Sequence, residues 1–192
     1  AGRADRDVGM PVVRRQQRDL SRSMKRLRKE GFRQVHVLDA GGAPLRVRIV
    51  RERPWNDRSE GHGPFDIIGD VHGCLGELRT LLEDLGWALD FDYAGRAVGA
   101  CHPQGRLAVF VGDLVDRGPD SPGVVRLVMG MVEQGSALCV SGNHEAKLVR
   151  ALRGTTVTVS HGLAQSLEQF GREPDQFRAD ALAFMDGLVA HY

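Results

Sequence analysis

Cysteine is scarce: the 192 residues hold three, Cys74, Cys101 and Cys139, without the close pairs that zinc sites and redox motifs display. They read as free thiols in a reducing compartment. Long apolar runs are missing too, since nowhere do about 18 apolar residues follow one another, and this argues against a membrane-spanning helix. The opening AGRADRDVG lacks a signal-peptide pattern. A cytoplasmic protein with no membrane partner is therefore expected. Aromatics are few, at 6%, and there is no internal repeat or low-complexity tract. A G-x-x-x-x-G-K-[ST] loop is also absent, so the chain has no such cradle for ATP phosphates and cannot itself be a working kinase. With 42% hydrophobic and 27% charged residues the chain can bury a core, and its length suits one domain or one domain plus a piece of another.

The net charge of +1 conceals a strong asymmetry. Residues 11–33 carry nine Arg or Lys against Asp19 and Glu30, a net of +7, while residues 34–192 carry −6. Within the basic stretch Val13, Leu20, Met24 and Leu27 recur at helical spacing, which predicts a basic amphipathic helix closed by Gly31. Arg14, Arg15, Arg18 and Arg22 are its candidate RNA contacts, because a cationic helix can grip a phosphate backbone. A merely solvated face, or a contact to the rest of a domain, is the bland alternative. QVHVL and LRVRIV then alternate with period two around the turn DAGGAP, and residues 11–50 read as the tail of an α/β unit.

RERPWNDRSEGHGP has two prolines, two glycines and no hydrophobic period, and marks a boundary. The expected organisation is a remnant over 1–55, a linker over 56–64 and a second domain over 65–192. There the pattern predicts strands at 65–68, 107–111 and 137–140 and helices near 74–86, 122–134, 145–153, 161–170 and 176–190, with a turn-rich insertion at 87–106. Apolar strands alternating with helices imply a buried, largely parallel sheet, whose ligands sit beyond the strands' carboxyl ends. The last helical pattern runs to the final residue without a stop signal and the first residue is Ala, so a fragment cut at both ends is expected.

Three strand ends share one design. FDIIGDVHG ends on Asp70 and His72, LAVFVGDLVDRG on Asp113, Asp116 and Arg117, and ALCVSGNHE on Asn143, His144 and Glu145. Each is an apolar strand, a glycine, then residues able to hold a metal or a phosphate. A lone Asp-x-His is usually a surface loop, but here thirteen positions are specified in order, each at a predicted strand end. Carboxylate and imidazole together suit Mn²⁺, Fe, Zn²⁺ or Ni²⁺ better than the all-oxygen preference of Mg²⁺ or Ca²⁺. A pair of such metals activates water and clamps a phosphoryl oxygen.

These motifs resemble those of the calcineurin-like metallophosphoesterases. The resemblance implies that Asp70 and His72 bind a first metal, that Asp113 bridges two metals, most simply Mn²⁺, and that Asn143 binds the second and the phosphate. It further implies that His144 is the general acid, oriented by Asp116, and that Arg117 grips the phosphate. Arg is a natural bidentate partner for phosphate, and a carboxylate-held histidine is suited to proton transfer. RLRKEGFRQVHVL, PWNDRSEGHGPFDIIGDVHG and VTVSHGLAQSLEQF further resemble bacterial polynucleotide kinase-phosphatase, over about Pro11 to Tyr192. That resemblance implies the tail of a P-loop kinase-like domain before a metallophosphoesterase domain that is incomplete at its C-terminus. The second metal site is then half built, because the family completes it with two later histidines. The implied substrates are 3′-phosphate and 2′,3′-cyclic phosphate RNA ends, and the implied partners are the kinase and ligase-like domains and a 3′-terminal RNA methyltransferase. The rival readings are a phosphoprotein phosphatase or dinucleoside tetraphosphatase, and a non-catalytic RNA-binding fragment.

Other histidines read as structural. His161 falls in the first turn of a helix capped by Ser160, and His191 closes the last helix as a packing or surface residue. Cys74 reads as a small packing residue.

Overall fold

The computed structural model describes residues 9–27, 50 and 52–192, in two units, Ala1–Arg51 and Glu52–Tyr192. In the first unit helix α1, Met10–Leu27, is cationic in composition and is the expected basic helix. Arg14, Arg15, Arg18 and Arg22 are all exposed on it, and Arg15 reaches Asp19 at 3.9 Å. Gly31 and the two expected strands, save Val50, lie outside the described residues.

The second unit follows the expected alternation. Strand β1, Phe65–Ile68, leads to helix α2, Leu75–Asp84, and a hairpin of β2, Ala88–Phe91, and β3, Ala97–Cys101. Strand β4, Leu107–Phe110, then helix α3, Ser121–Glu133, and strand β5, Ala137–Cys139, complete a parallel sheet of order β1-β4-β5. Helices α4, Asn143–Leu152, α5, Leu163–Gly171, and α6, Asp175–Gly187, follow. Ile68 pairs with Phe110, and Phe110 with Cys139, so the three strands end level with one another. The polar residues after each strand are thereby delivered to one edge.

Two expectations are corrected. The insertion at 87–106 is an antiparallel hairpin, built because Asp92 Oδ1 accepts from the backbone of Ala94 and Arg96, both at 2.9 Å, and closes the turn between two short strands. The last helix ends at Gly187, after which Val189 bridges to Val140. Residues 52–64, which include the expected linker, belong to the second unit, where Asn56 Nδ2 donates to the His191 carbonyl at 2.8 Å.

The core gathers on the α3 side of the sheet. Val124, Val125, Leu127, Val128 and Met131 of α3 are fully buried, each contributing about 1.5–3 kcal/mol by leaving water. Asp120 caps this helix by accepting from the Gly123 amide at 2.8 Å, and Pro122 fits its first turn. The opposite face of the edge strand β1 is open at Ile67, which is 72% exposed, whereas Val109 of β4 and Leu138 of β5 are part-buried. At the far end of β1 the buried Asp66 accepts from Trp87 Nε1 at 3.0 Å and from Arg106 Nε at 2.8 Å. Its hydrogen bonds to Arg106, outweighing burial, pull its pKa down to about 2.

Candidate metal centre

The first loop is stitched to the second by backbone bonds. The amides of Val71 and His72 donate to the Asp113 carbonyl at 3.2 and 2.9 Å, and the Gly73 amide donates to Leu114 at 2.7 Å. The second is held to the third by Glu145. This fully buried carboxylate accepts from the amides of Asp113 at 2.9 Å, Leu114 at 2.7 Å, Val115 at 3.2 Å and Gly142 at 2.8 Å. Glu145 therefore clamps the loops and is not free for a metal or phosphate. Gly142 has no alternative, because a Cβ there would lie 2.1 Å from Asp113 Oδ1.

The backbone is strained where the candidate residues sit. Among the described residues, His72, Asp113, Asp116, Arg117 and His161 are the positive-φ residues other than glycine, with φ from 47° to 72°. Each such placement costs on the order of 1–2 kcal/mol, which the interlocked loops must offset.

His72, Asp113 and His144 converge, with one potential ligand atom from each within 4.8 Å of the others. The hydrogen bonds fix what each offers. His72 Nδ1 lies 2.9 Å from the Val115 carbonyl, which can only accept, so Nδ1 donates there and Nε2 is the ring's potential metal ligand. That Nε2 is buried and has no hydrogen-bond partner. His144 Nδ1 lies 2.7 Å from Asp116 Oδ2, an arrangement that leaves the other ring nitrogen for the site. The rings of His72 and His144 meet edge to face with centroids 4.7 Å apart. A buried orphan nitrogen beside a carboxylate fits a divalent transition metal, since an unpaired buried polar atom is otherwise costly.

The remaining expected residues surround this group. Asp70 is exposed, its Oδ2 3.7 Å from His72 Nε2. Asn143, also exposed, is the first residue of α4, and the His144 amide beside it donates to Asp113 Oδ1 at 3.3 Å. Arg117 is exposed and follows the buried Asp116 directly in the chain.

Residues of α5 escaped the sequence reading. Ser166 Oγ accepts from the Asp116 amide at 3.0 Å, Gln169 Oε1 accepts from the Ser121 amide at 2.8 Å, and Gln169 Nε2 donates to the Gly118 and Pro119 carbonyls. Polar residues on the buried face of SHGLAQSLEQF were the available signal. The turn before α5 also differs from expectation. Gly162, at φ 93°, occupies the cap position, and Ser160 Oγ instead accepts from Lys147 Nζ at 2.7 Å. Left-handed backbone at His161 and Gly162 lets the turn press against Arg117, whose amide a Cβ on Gly162 would approach to 2.2 Å. His161 is exposed and stands outside the converging group.

Three loops at level strand ends, with paired imidazoles and carboxylates, are the layout of a metallophosphoesterase. Residues 63–187 match the family described as calcineurin-like phosphoesterase, and the chain belongs to that family. Among curated relatives, the bis(5′-nucleosyl)-tetraphosphatase PrpE [asymmetrical] of Halalkalibacterium halodurans is 44% identical over 119 residues, covering 62% of this chain and 46% of the relative. The protein of the same name from Bacillus subtilis is 44% identical over 112 residues, covering 57% and 43%. That from Anoxybacillus flavithermus is 42% identical over 106 residues, covering 55% and 41%. The chain thus spans less than half the length of these relatives. They carry the tetraphosphatase name, not that of a polynucleotide kinase-phosphatase. No described helix is long and apolar enough to cross a membrane.

Proposed function

We propose that the chain is the catalytic portion of a metal-dependent phosphohydrolase acting on a nucleotide, with a dinucleoside tetraphosphate as the substrate class. The observation that carries this reading is the His144–Asp116 pair, at 2.7 Å, standing beside the convergence of His72 and Asp113. The tetraphosphatase names of the relatives support the substrate class over an RNA end.

Asp70, His72 and Asp113 would hold one divalent ion, Asp113 and Asn143 a second, and Mn²⁺ suits this mixed oxygen and nitrogen set. When bound, such ions supply an activated water and polarise a phosphoryl oxygen. His144 is the general acid: in its doubly protonated form it gives the proton of its second ring nitrogen to the leaving oxygen as the oxygen of a hydroxide bonds to phosphorus and the bridging P–O bond breaks. Asp116 accepts from His144 Nδ1, fixes the ring's orientation and stabilises the imidazolium, the form that carries a proton on the second nitrogen. Arg117 would grip the phosphate with its planar fork. The setting of this reading is the cytoplasm.

A second reading, the 3′-phosphate or 2′,3′-cyclic phosphate RNA end, is favoured by the exposed arginines of α1. Kinase and ligase-like domains and an RNA methyltransferase would be partners under that reading alone. Mn²⁺-dependent turnover of diadenosine tetraphosphate, a 3′-phosphorylated oligoribonucleotide and a phosphoserine peptide separates the classes. Preference for the first supports the proposal; preference for the oligoribonucleotide replaces it with the second reading.

A further inference from the structure

Beside the metal centre, along α4, lies a cleft of about 530 Å³ that shares Asn143 with it and is also lined by Lys147, Arg150, Thr156 and Thr158. Asn143, Lys147 and Arg150 recur at spacings of four and three, so they lie on one face of the helix. The two cations stand about 6 and about 10 Å along the axis from Asn143. Neither Lys147 nor Arg150 has an ion-pair partner among the described residues, whereas the nearby Arg153 is paired with Asp186 at 2.7 Å. No carboxylate lines the cleft, because the one acid on this part of α4, Glu145, is turned inward to the loop amides. Lys147 is half-buried and held by its donation to Ser160 Oγ, so its ammonium is already positioned. Thr156 and Thr158, which carry hydroxyls, complete the lining.

We propose that this cleft is a subsite for the further phosphates of a polyphosphate chain, entered from the scissile phosphate at Asn143 and gripped by Lys147 and Arg150. The inference rests on the nucleotide reading above and deepens it, because it accounts for selection of a substrate with several consecutive phosphates. A solvated cationic face would not need a concave wall, an anchored lysine and a carboxylate-free lining together. Lysine supplies a compact charge and arginine a fork, and both suit successive phosphate oxygens.

The test is calorimetric titration of the whole chain with inorganic tripolyphosphate and with orthophosphate, in EDTA. Without metal no reaction intrudes, so the result is readable whether or not the chain hydrolyses anything. Tripolyphosphate should bind at least about tenfold more tightly than orthophosphate, and Lys147→Gln with Arg150→Gln should cost at least about tenfold in that affinity. Arg150→Gln alone, at an exposed side chain, should give part of the loss if the double variant does not fold. Arg153→Gln should change nothing, and a loss there equal to that of the double variant would mean attraction to any basic surface and overturn the subsite. Undiminished binding by the double variant, or no preference for tripolyphosphate, would also overturn it. Diadenosine tetraphosphate should displace the tripolyphosphate; displacement only by an oligoribonucleotide would overturn the polyphosphate assignment. Subsite binding without any turnover in Mn²⁺ would count against the hydrolase reading and not against the cleft.

Discussion

Replacing Glu145 by Gln tests how the loops are held. Each carboxylate oxygen serves two amides: Oε1 accepts from Leu114 and Val115, and Oε2 from Asp113 and Gly142. Either orientation of a glutamine amide turns an NH₂ group toward two backbone N–H donors. Two charge-assisted bonds are lost and two buried donors are left unpaired, while the remaining two bonds lose their charge. A hydrogen bond to a charged group contributes about 1.5–3 kcal/mol, so Glu145→Gln should cost about 4 kcal/mol, a large share of the roughly 5–15 kcal/mol that stabilises a domain. The same change should weaken Mn²⁺ binding, because Asp113 sits at φ 53° beside the lost bond and its strained backbone would relax. Urea unfolding of both proteins at neutral pH, with a Mn²⁺ titration of each, reads the two effects. Stability within about 1 kcal/mol of the parent would refute the clamp, because the magnitude follows from bonds that glutamine cannot reproduce.

Asp66 sets an acid limit on stability. Its folded pKa, about 2, lies below its ordinary value of 3.8, so its contribution is present above pH 3.8 and is lost as the pH falls toward 2. Asp66→Asn should lower stability by about 2 kcal/mol at pH 7 and by much less near pH 2, as measured by urea unfolding at both. Burial, with Glu145's charge adding to it, pushes the Cys139 thiol up to about 12, so a thiol reagent at pH 8 should label the exposed Cys101 and leave Cys139 unreacted until the chain unfolds, as peptide mapping would show. Gly142→Ala should prevent stable folding, since its Cβ would collide with Asp113 and Glu145, and a lost thermal transition is the readout. Asp116→Asn should lower kcat by about a hundredfold or more in an active preparation while Mn²⁺ affinity is retained; equal loss of both would contradict its role in orienting His144.

The sequence made the strand ends legible because each motif combined a local signal with a strong period: FDII, LAVF and ALC are apolar but for Asp66, and each runs into glycine and polar residues within a few positions. The hairpin at Ala88–Cys101 was hidden, since ALDF and AVGAC are short and Asp, Gly and Arg between and around them give the stronger turn signal. Glu145 was read as a candidate ligand because its partners are backbone amides about thirty positions earlier, which carry no side-chain signature. Ser160 looked like a cap by its position, yet Lys147 captures its hydroxyl, and Gly162 takes the left-handed geometry the turn against Arg117 demands. Periodicity reports elements and motifs report chemistry. Neither reports which buried acid spends its oxygens on the main chain.

The most direct test of the metal centre is a Mn²⁺ titration of the folded chain followed by electron paramagnetic resonance, with His72→Ala and Asp113→Ala in parallel. The account predicts saturable binding by the parent, lost by at least about tenfold in either variant while each still melts cooperatively, because each removes a donor of the converging group. Binding that survives both substitutions, or no saturable binding by the folded parent, would contradict it.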